Sequence, residues 1–183
     1  IKDLLDTLKA CFASINFIVY QEITDYILSD TLSYPSLEFS KQLINFLQTK
    51  SSSEFKAWKF DLLLTQLLKR LQIELIQSHR DPQDWAIKEN NICNCQYCKI
   101  LNPFLLDSAI KEKIWPLAKD HRQHIHQIIE RMILPVTHKT IHEGSPHKLV
   151  LRKTKQLFTD NDNLQKNLNE AINTMNNLKI KMK

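Results

Sequence analysis

Apolar residues recur along most of this chain at three- and four-residue spacing, the period of a helix with one buried face. Between positions 3 and 28, Leu4, Leu5, Leu8, Cys11, Phe12, Ile15, Val19, Ile23 and Tyr26 keep that spacing and predict a helical run. A break follows around Pro35, then a second helix through Leu37, Leu43, Ile44, Phe46 and Leu47. Ser51 with Glu54 three residues on has capping-box spacing. It predicts a third helix through Phe55, Trp58, Leu62, Leu67, Leu71 and Leu75, stopped at Asp81-Pro82 because the residue before a proline is pushed out of helical geometry.

In the second half, Asn102-Pro103 marks the start of a short helix. Pro116 stands where a first helical residue tolerates proline, ahead of Leu117, Ile125, Ile128, Ile129 and Met132, and Pro135 ends that helix. Between Val136 and Thr154 β-branched residues flank Glu143-Gly144-Ser145-Pro146, which predicts one hairpin with a glycine at its turn. From 157 onward Leu164, Leu168, Ala171, Met175, Leu178 and Met182 alternate spacings of four and three, a narrow seam on a long final helix. The fold class is therefore mainly α: a helical bundle with a metal knot, one β-hairpin and a long C-terminal helix. Three regions are expected: 1–80 helical, 81–155 carrying the knot and hairpin, and 156–183 as an amphipathic helix.

Composition sharpens this picture in one respect. A single glycine in 183 residues excludes glycine-rich phosphate loops and dinucleotide fingerprints, neither of which can be written with one. The net charge of +5 permits a nucleic-acid or acidic partner without requiring one. No stretch approaches the roughly 18 apolar residues of a membrane span, so no membrane partner is expected. The chain opens on Ile1 already inside a helical pattern and reads as a segment of a longer polypeptide.

The candidate chemistry lies in Cys93-Asn-Cys95-Gln-Tyr-Cys98. Thiolates are soft anionic donors, and this spacing lets one short loop wrap three of them around a tetrahedral zinc ion. Cys11 stands alone on a helical stripe, so the four cysteines make a poor disulfide framework and point to a reducing compartment, cytosol or nucleus. The fourth ligand must come from elsewhere, and the spacing leaves His121, His124 and His126 open. A site with four protein ligands is closed to water and structural.

From Trp58 to Thr154 the succession Trp58, Pro82, Trp85, the three cysteines, Phe104-Leu105-Leu106-Asp107, Arg122-Gln-His124, Thr137-His138-Lys-Thr140 and Gly144-Ser145-Pro146-His147-Lys148-Leu149-Val150 covers about half the chain. It resembles the cysteine-rich C-terminal region that follows an iron- and 2-oxoglutarate-dependent dioxygenase-like domain in large fungal and protist proteins. The resemblance implies that His124, in the Arg-x-His position, joins Cys93, Cys95 and Cys98 as ligand. It also places Thr137, His138, Gly144, Ser145 and Pro146 in a hairpin signature.

The chain is not itself expected to be the oxygenase. His79-Arg80-Asp81 has a His-x-Asp form, with His142 and Arg152 downstream, but a facial-triad iron site of that kind needs a barrel of about eight strands to hold it. The functional expectation is a non-catalytic zinc-stabilised accessory module. Its basic hairpin strand, with Lys148, Arg152, Lys153 and Lys155, suits a phosphate backbone. The alternative is an interaction or scaffolding domain that pairs through the C-terminal helix. A metalloenzyme using Glu143 or His138 as acid or base is the remote reading.

Overall fold

The computed structural model describes residues 2–14, 17–50, 60–88, 93 and 95–182. The capping box of Ser51 and Glu54, the apolar positions Phe55 and Trp58, and Ile15 lie outside the described residues. The chain divides into two compact units, one of Ile1–His79 with Asn163–Lys183 and one of Arg80–Asp162.

The first unit is helical: α1 (Lys2–Ala13), α2 (Phe17–Ser29), α3 (Ser36–Gln48) and α4 (Asp61–Gln77). Where the spacing predicts one run to residue 28, there are two helices. On α3, Phe39, Leu43 and Leu47 form a buried stripe at four-residue steps, and α4 answers with Leu63, Leu64, Leu67, Leu68 and Leu71. Each such side chain contributes about 1.5–3 kcal/mol of transfer free energy. Cys11 packs half-buried against this core.

The second unit holds α5 (Cys98–Leu106), β1 (Glu112–Pro116), α6 (Lys119–Arg131), β2 (Val136–Ile141), β3 (Lys148–Lys153) and the start of α7 (Gln156–Met182). The strands form one antiparallel sheet in the order β1-β3-β2, with Ile114 and Lys139 both opposite Val150. Strand β1 is an addition to the expected hairpin. Pro116 ends this edge strand instead of opening a helix, a place where the missing N–H removes no ladder bond. The helix begins three residues later at Lys119. Likewise Pro103 lies inside α5 rather than at its start, since the helix already begins at Cys98. Ile125, Ile128 and Ile129 of α6 pack with Leu149 and Leu151 of β3, Phe104 and Leu105 of α5, and Leu157 of α7.

The seam on α7 is buried. Leu168, Ala171, Met175 and Leu178 belong to the core of the first unit, with Leu164 packed at its margin. Gln165 Nε2 donates to Leu75 O at 3.0 Å and Lys179 Nζ to Thr65 Oγ1 at 2.7 Å, so α7 runs antiparallel along α4. The C-terminal helix, expected as a region of its own, is shared between the units. Its apolar stripe is filled from within the chain, which removes the surface on which partner pairing through this helix was expected.

Scarcity of glycine has a visible consequence at the end of α6. Leu134 N donates to Ile129 O at 3.0 Å and Ile133 N to Glu130 O at 3.1 Å, the paired bonds of a Schellman cap. That cap needs a left-handed residue, and the residue there is Ile133, at φ 50 and 87% exposed. A β-branched side chain is strained in this region, so Ile133→Gly is expected to raise stability by about 0.5–1 kcal/mol, read as a higher denaturant midpoint. The chain's one glycine, Gly144, takes φ 77 in the β2–β3 turn.

Candidate metal centre

Three segments of the second unit converge on one point. Cys93 and Cys95 come from the loop before α5, Cys98 is the first residue of α5, and His124 projects from α6. Their ligand atoms all lie within 4.8 Å of one another. His124 Nε2 is 3.3 Å from the sulfurs of both Cys95 and Cys98. In a tetrahedron with metal–sulfur bonds of about 2.3 Å and metal–nitrogen bonds of about 2.0–2.1 Å, the sulfur–nitrogen edge is about 3.6 Å. The donor set therefore fits a small tetrahedral dication with a shift of a few tenths of an ångström. Among the described residues it is the one group of three or more His, Cys, Asp or Glu side chains that can hold a metal ion.

The local backbone prepares these sulfurs for charge. Cys95 N points to Cys93 Sγ and Cys98 N to Cys95 Sγ, each at 3.4 Å, so successive amides donate to successive thiolates. The Cys98 amide above all holds the Cys95 thiol down to about 6. Burial, followed by the Cys95 and Cys93 sulfurs beside it, pushes the Cys98 thiol up to about 12. One thiolate forms readily, and the next resists because like charges crowd a partly desolvated space. A dication removes that obstacle, because its charge favours every sulfur in the anionic form.

His124 rather than His121 completes the cluster. The His121 ring instead stacks on Tyr97 with centroids 3.7 Å apart, covering the loop between Cys95 and Cys98. His126 faces β2, where its Nδ1 hydrogen-bonds His138 Nδ1 and its Nε2 lies 3.3 Å from Thr140 Oγ1. The register of α6 explains the division. Arg122, Ile125, Ile128 and Ile129 form the buried face, and His124 stands at its margin toward the knot. Arg122 anchors that margin: its buried guanidinium donates to Leu117 O, and to His147 O at 3.5 Å. Cys98 is fully buried, whereas Cys93 and His124 border a groove of about 460 Å³ walled also by Gln127, Ile128, Glu130 and Arg131.

The basic residues expected on the hairpin separate. Lys148 and Arg152 point to the outer face of the sheet, and Lys155 is exposed at the start of α7. Lys153 turns inward, 6% exposed, where its ammonium donates to Leu105 O at 3.1 Å and Asp107 O at 2.5 Å and sits 4.9 Å over the Phe104 ring. Position alternation on β3 dictates this outcome, since adjacent residues of a strand face opposite sides. Lys139 of β2, which the sequence reading passed over, stands on the outer face opposite Val150. Period-two counting along β2 was the signal for it.

The remaining candidates take structural places. Asp81 Oδ1 accepts the Gln83 amide at 2.7 Å in the turn with Pro82, and neither it nor His79 belongs to the metal cluster. His138 serves the contact with His126, its Nε2 3.9 Å from Glu130, and Glu143 is exposed in the β2–β3 turn. Among the described residues no helix is long and apolar enough to cross a membrane. Comparison with protein-family models, characterised proteins and solved structures finds no match to this chain.

Proposed function

We propose that this chain is a non-catalytic accessory module of a larger protein, stabilised by a structural zinc ion on Cys93, Cys95, Cys98 and His124. The observation that carries the reading is the donor set itself: three sulfurs and one imidazole nitrogen gathered from three separate segments. Four protein donors complete a tetrahedral shell and leave no position for a water or substrate, which favours a structural role. Sulfur-rich sets select zinc over magnesium, calcium or manganese. Metal content by mass spectrometry, on protein purified without a metal-affinity tag, tests the proposal, with one zinc per chain as the expected result. The Cys-x-Cys-x2-Cys, Arg-x-His and Gly-Ser-Pro order that supports the dioxygenase-associated context belongs to the same proposal.

A finer reading concerns what the module contacts. The outer face of the sheet carries Lys139, Lys148 and Arg152 around Ile114, Val150 and Ile141, with Glu112 paired to Arg152. Three cations on one face suit a phosphate backbone, and such contacts weaken steeply with salt. Replacing Lys139, Lys148 and Arg152 together with Gln is expected to lower affinity for a single-stranded oligonucleotide by about tenfold or more and to flatten the salt slope. Unchanged binding at low salt, or no binding by the parent chain, would remove nucleic acid from the account.

A further inference from the structure

Strand β2 is an edge of the sheet: β3 lies along one side of it and, among the described residues, no strand lies along the other. Pro135 O accepts the Thr154 amide at 2.8 Å, which with the register fixes the main-chain groups that face β3. Those of Thr137, Lys139 and Ile141 do, so the N–H and C=O groups of His138 and Thr140 point away from the sheet. Among the described residues none bonds to them. The side chains of the same two residues are held on the inner face by His126, through His138 Nδ1 and, at 3.3 Å, Thr140 Oγ1. The edge is braced from behind while four main-chain groups stand open.

The outer face beside that edge is chemically selective. Thr137, Lys139 and Ile141 follow one another along it, and with Val150, Arg152 and His138 they line a depression of about 300 Å³. Val150, 8% exposed, gives it an apolar base. Arg152 is held by Glu112, whereas Lys139 and Lys148 meet no carboxylate among the described residues. A lysine on an edge strand commonly guards it, and Lys139 does repel a second copy of β2, which brings the same charge. It does not repel an acidic strand. The far edge of the sheet lacks these properties: on β1 the outward groups belong to Glu112, Ile114 and Pro116, which include an acid and a residue with no N–H.

We propose that β2 accepts an extended acidic peptide of a partner protein as a fourth antiparallel strand. The peptide residues opposite His138 and Thr140 exchange main-chain hydrogen bonds with them. The residue between, opposite Lys139, is Asp or Glu. That position is of the close, non-hydrogen-bonded kind, where opposite charges across two strands attract best. An apolar side chain two places earlier in the peptide meets Ile141.

The probe is the peptide acetyl-Thr-Ile-Thr-Glu-Thr-Thr-amide, titrated into the full chain and followed by amide chemical shifts. Saturable shifts are expected, largest at His138 and Thr140. The same peptide with Lys in place of Glu, or N-methylated at the residues opposite His138 and Thr140, should bind about tenfold more weakly or worse. Thr140→Pro removes an outward N–H and no ladder bond, a change that an edge strand tolerates, and should weaken the peptide by a similar factor. Lys139→Glu should do the same with the main chain left intact. Absence of saturable shifts overturns the proposal. So does equal binding of either altered peptide, or peptide binding that both variants leave unchanged. A chain that binds a single-stranded oligonucleotide but not the peptide would leave the face to nucleic acid and overturn it as well.

Discussion

Cys95→Ser is expected to abolish stoichiometric zinc and to unfold or loosen the Arg80–Asp162 unit while the helical unit persists. The serine hydroxyl does not ionise near neutral pH, so the site loses an anionic soft donor and keeps only two thiolates and an imidazole. Cys95 is also the acceptor for the Cys98 amide and a neighbour of His124 Nε2, so its removal disturbs the start of α5 and the link to α6 together. In zinc-finger peptides a structural zinc contributes roughly 10–16 kcal/mol of apparent binding free energy at neutral pH, most of it realised as folding. A domain's entire net stability is about 5–15 kcal/mol. Loss of even a fraction of the metal term therefore matters.

The second unit retains Ile125, Ile128, Leu149, Leu151 and their neighbours as an apolar core, so the damage should be graded. Amides of Cys98–Leu106 and Lys119–Arg131 should lose hydrogen-exchange protection first, with those of Asp61–Gln77 unaffected. Wild-type protein containing no metal would sink the structural-zinc proposal and leave three reactive thiols. Iron in place of zinc would turn attention to redox chemistry at the same four donors.

Much of this arrangement was legible in the chain because its carriers are local. Helical periodicity located α3 and α4, and the seam on α7 was visible in Leu168, Ala171, Met175 and Leu178. The three cysteines marked a candidate metal site through spacing alone. What covers a seam is a tertiary question, however, and the same stripe serves a partner helix or an internal core equally well in sequence. Strand β1 was hidden for a related reason. Five residues ending in Pro116 carry too short a period to separate from the start of a helix, and only pairing with β3 stabilises them.

The fourth ligand shows the same limit. His121, His124 and His126 are near-equivalent in sequence, and the difference lies in which neighbour each ring finds: Tyr97, the cysteines or His138. The Schellman cap at Ile133 was not readable at all, because the residue type argues against the conformation it adopts. Tertiary packing of α6 against the sheet overrides that local preference.

Lys153→Met is expected to destabilise the second unit by about 2 kcal/mol while leaving affinity for a polyanion unchanged. The argument begins with strand alternation, which sends Lys153 inward between the outward Arg152 and the loop into α7. Burial lowers its tendency to stay charged, and the Asp107 carboxylate opposes that loss. The ammonium is held because it caps the end of α5, donating to Asp107 O and to Leu105 O, which also accepts the Ile87 amide at 2.7 Å, and because it rests over Phe104. Asp107 fixes the same corner from the other side, its Oδ1 accepting the amides of Ala109 and Ile110 at 2.8 Å each. Methionine keeps the volume and the apolar contact with Phe104 but leaves Asp107 O without its ammonium donor and Leu105 O with the Ile87 amide alone, which separates hydrogen bonding from packing. Lys153→Ala adds a cavity and should cost about 1 kcal/mol more than Met. Chemical denaturation of the metal-loaded protein measures both. A loss under about 1 kcal/mol for Met would mean that water satisfies the Asp107 carbonyl and that the lysine is dispensable to the fold. A fall in polyanion affinity in a variant that remains folded would instead return Lys153 to the binding surface, against its place in the core.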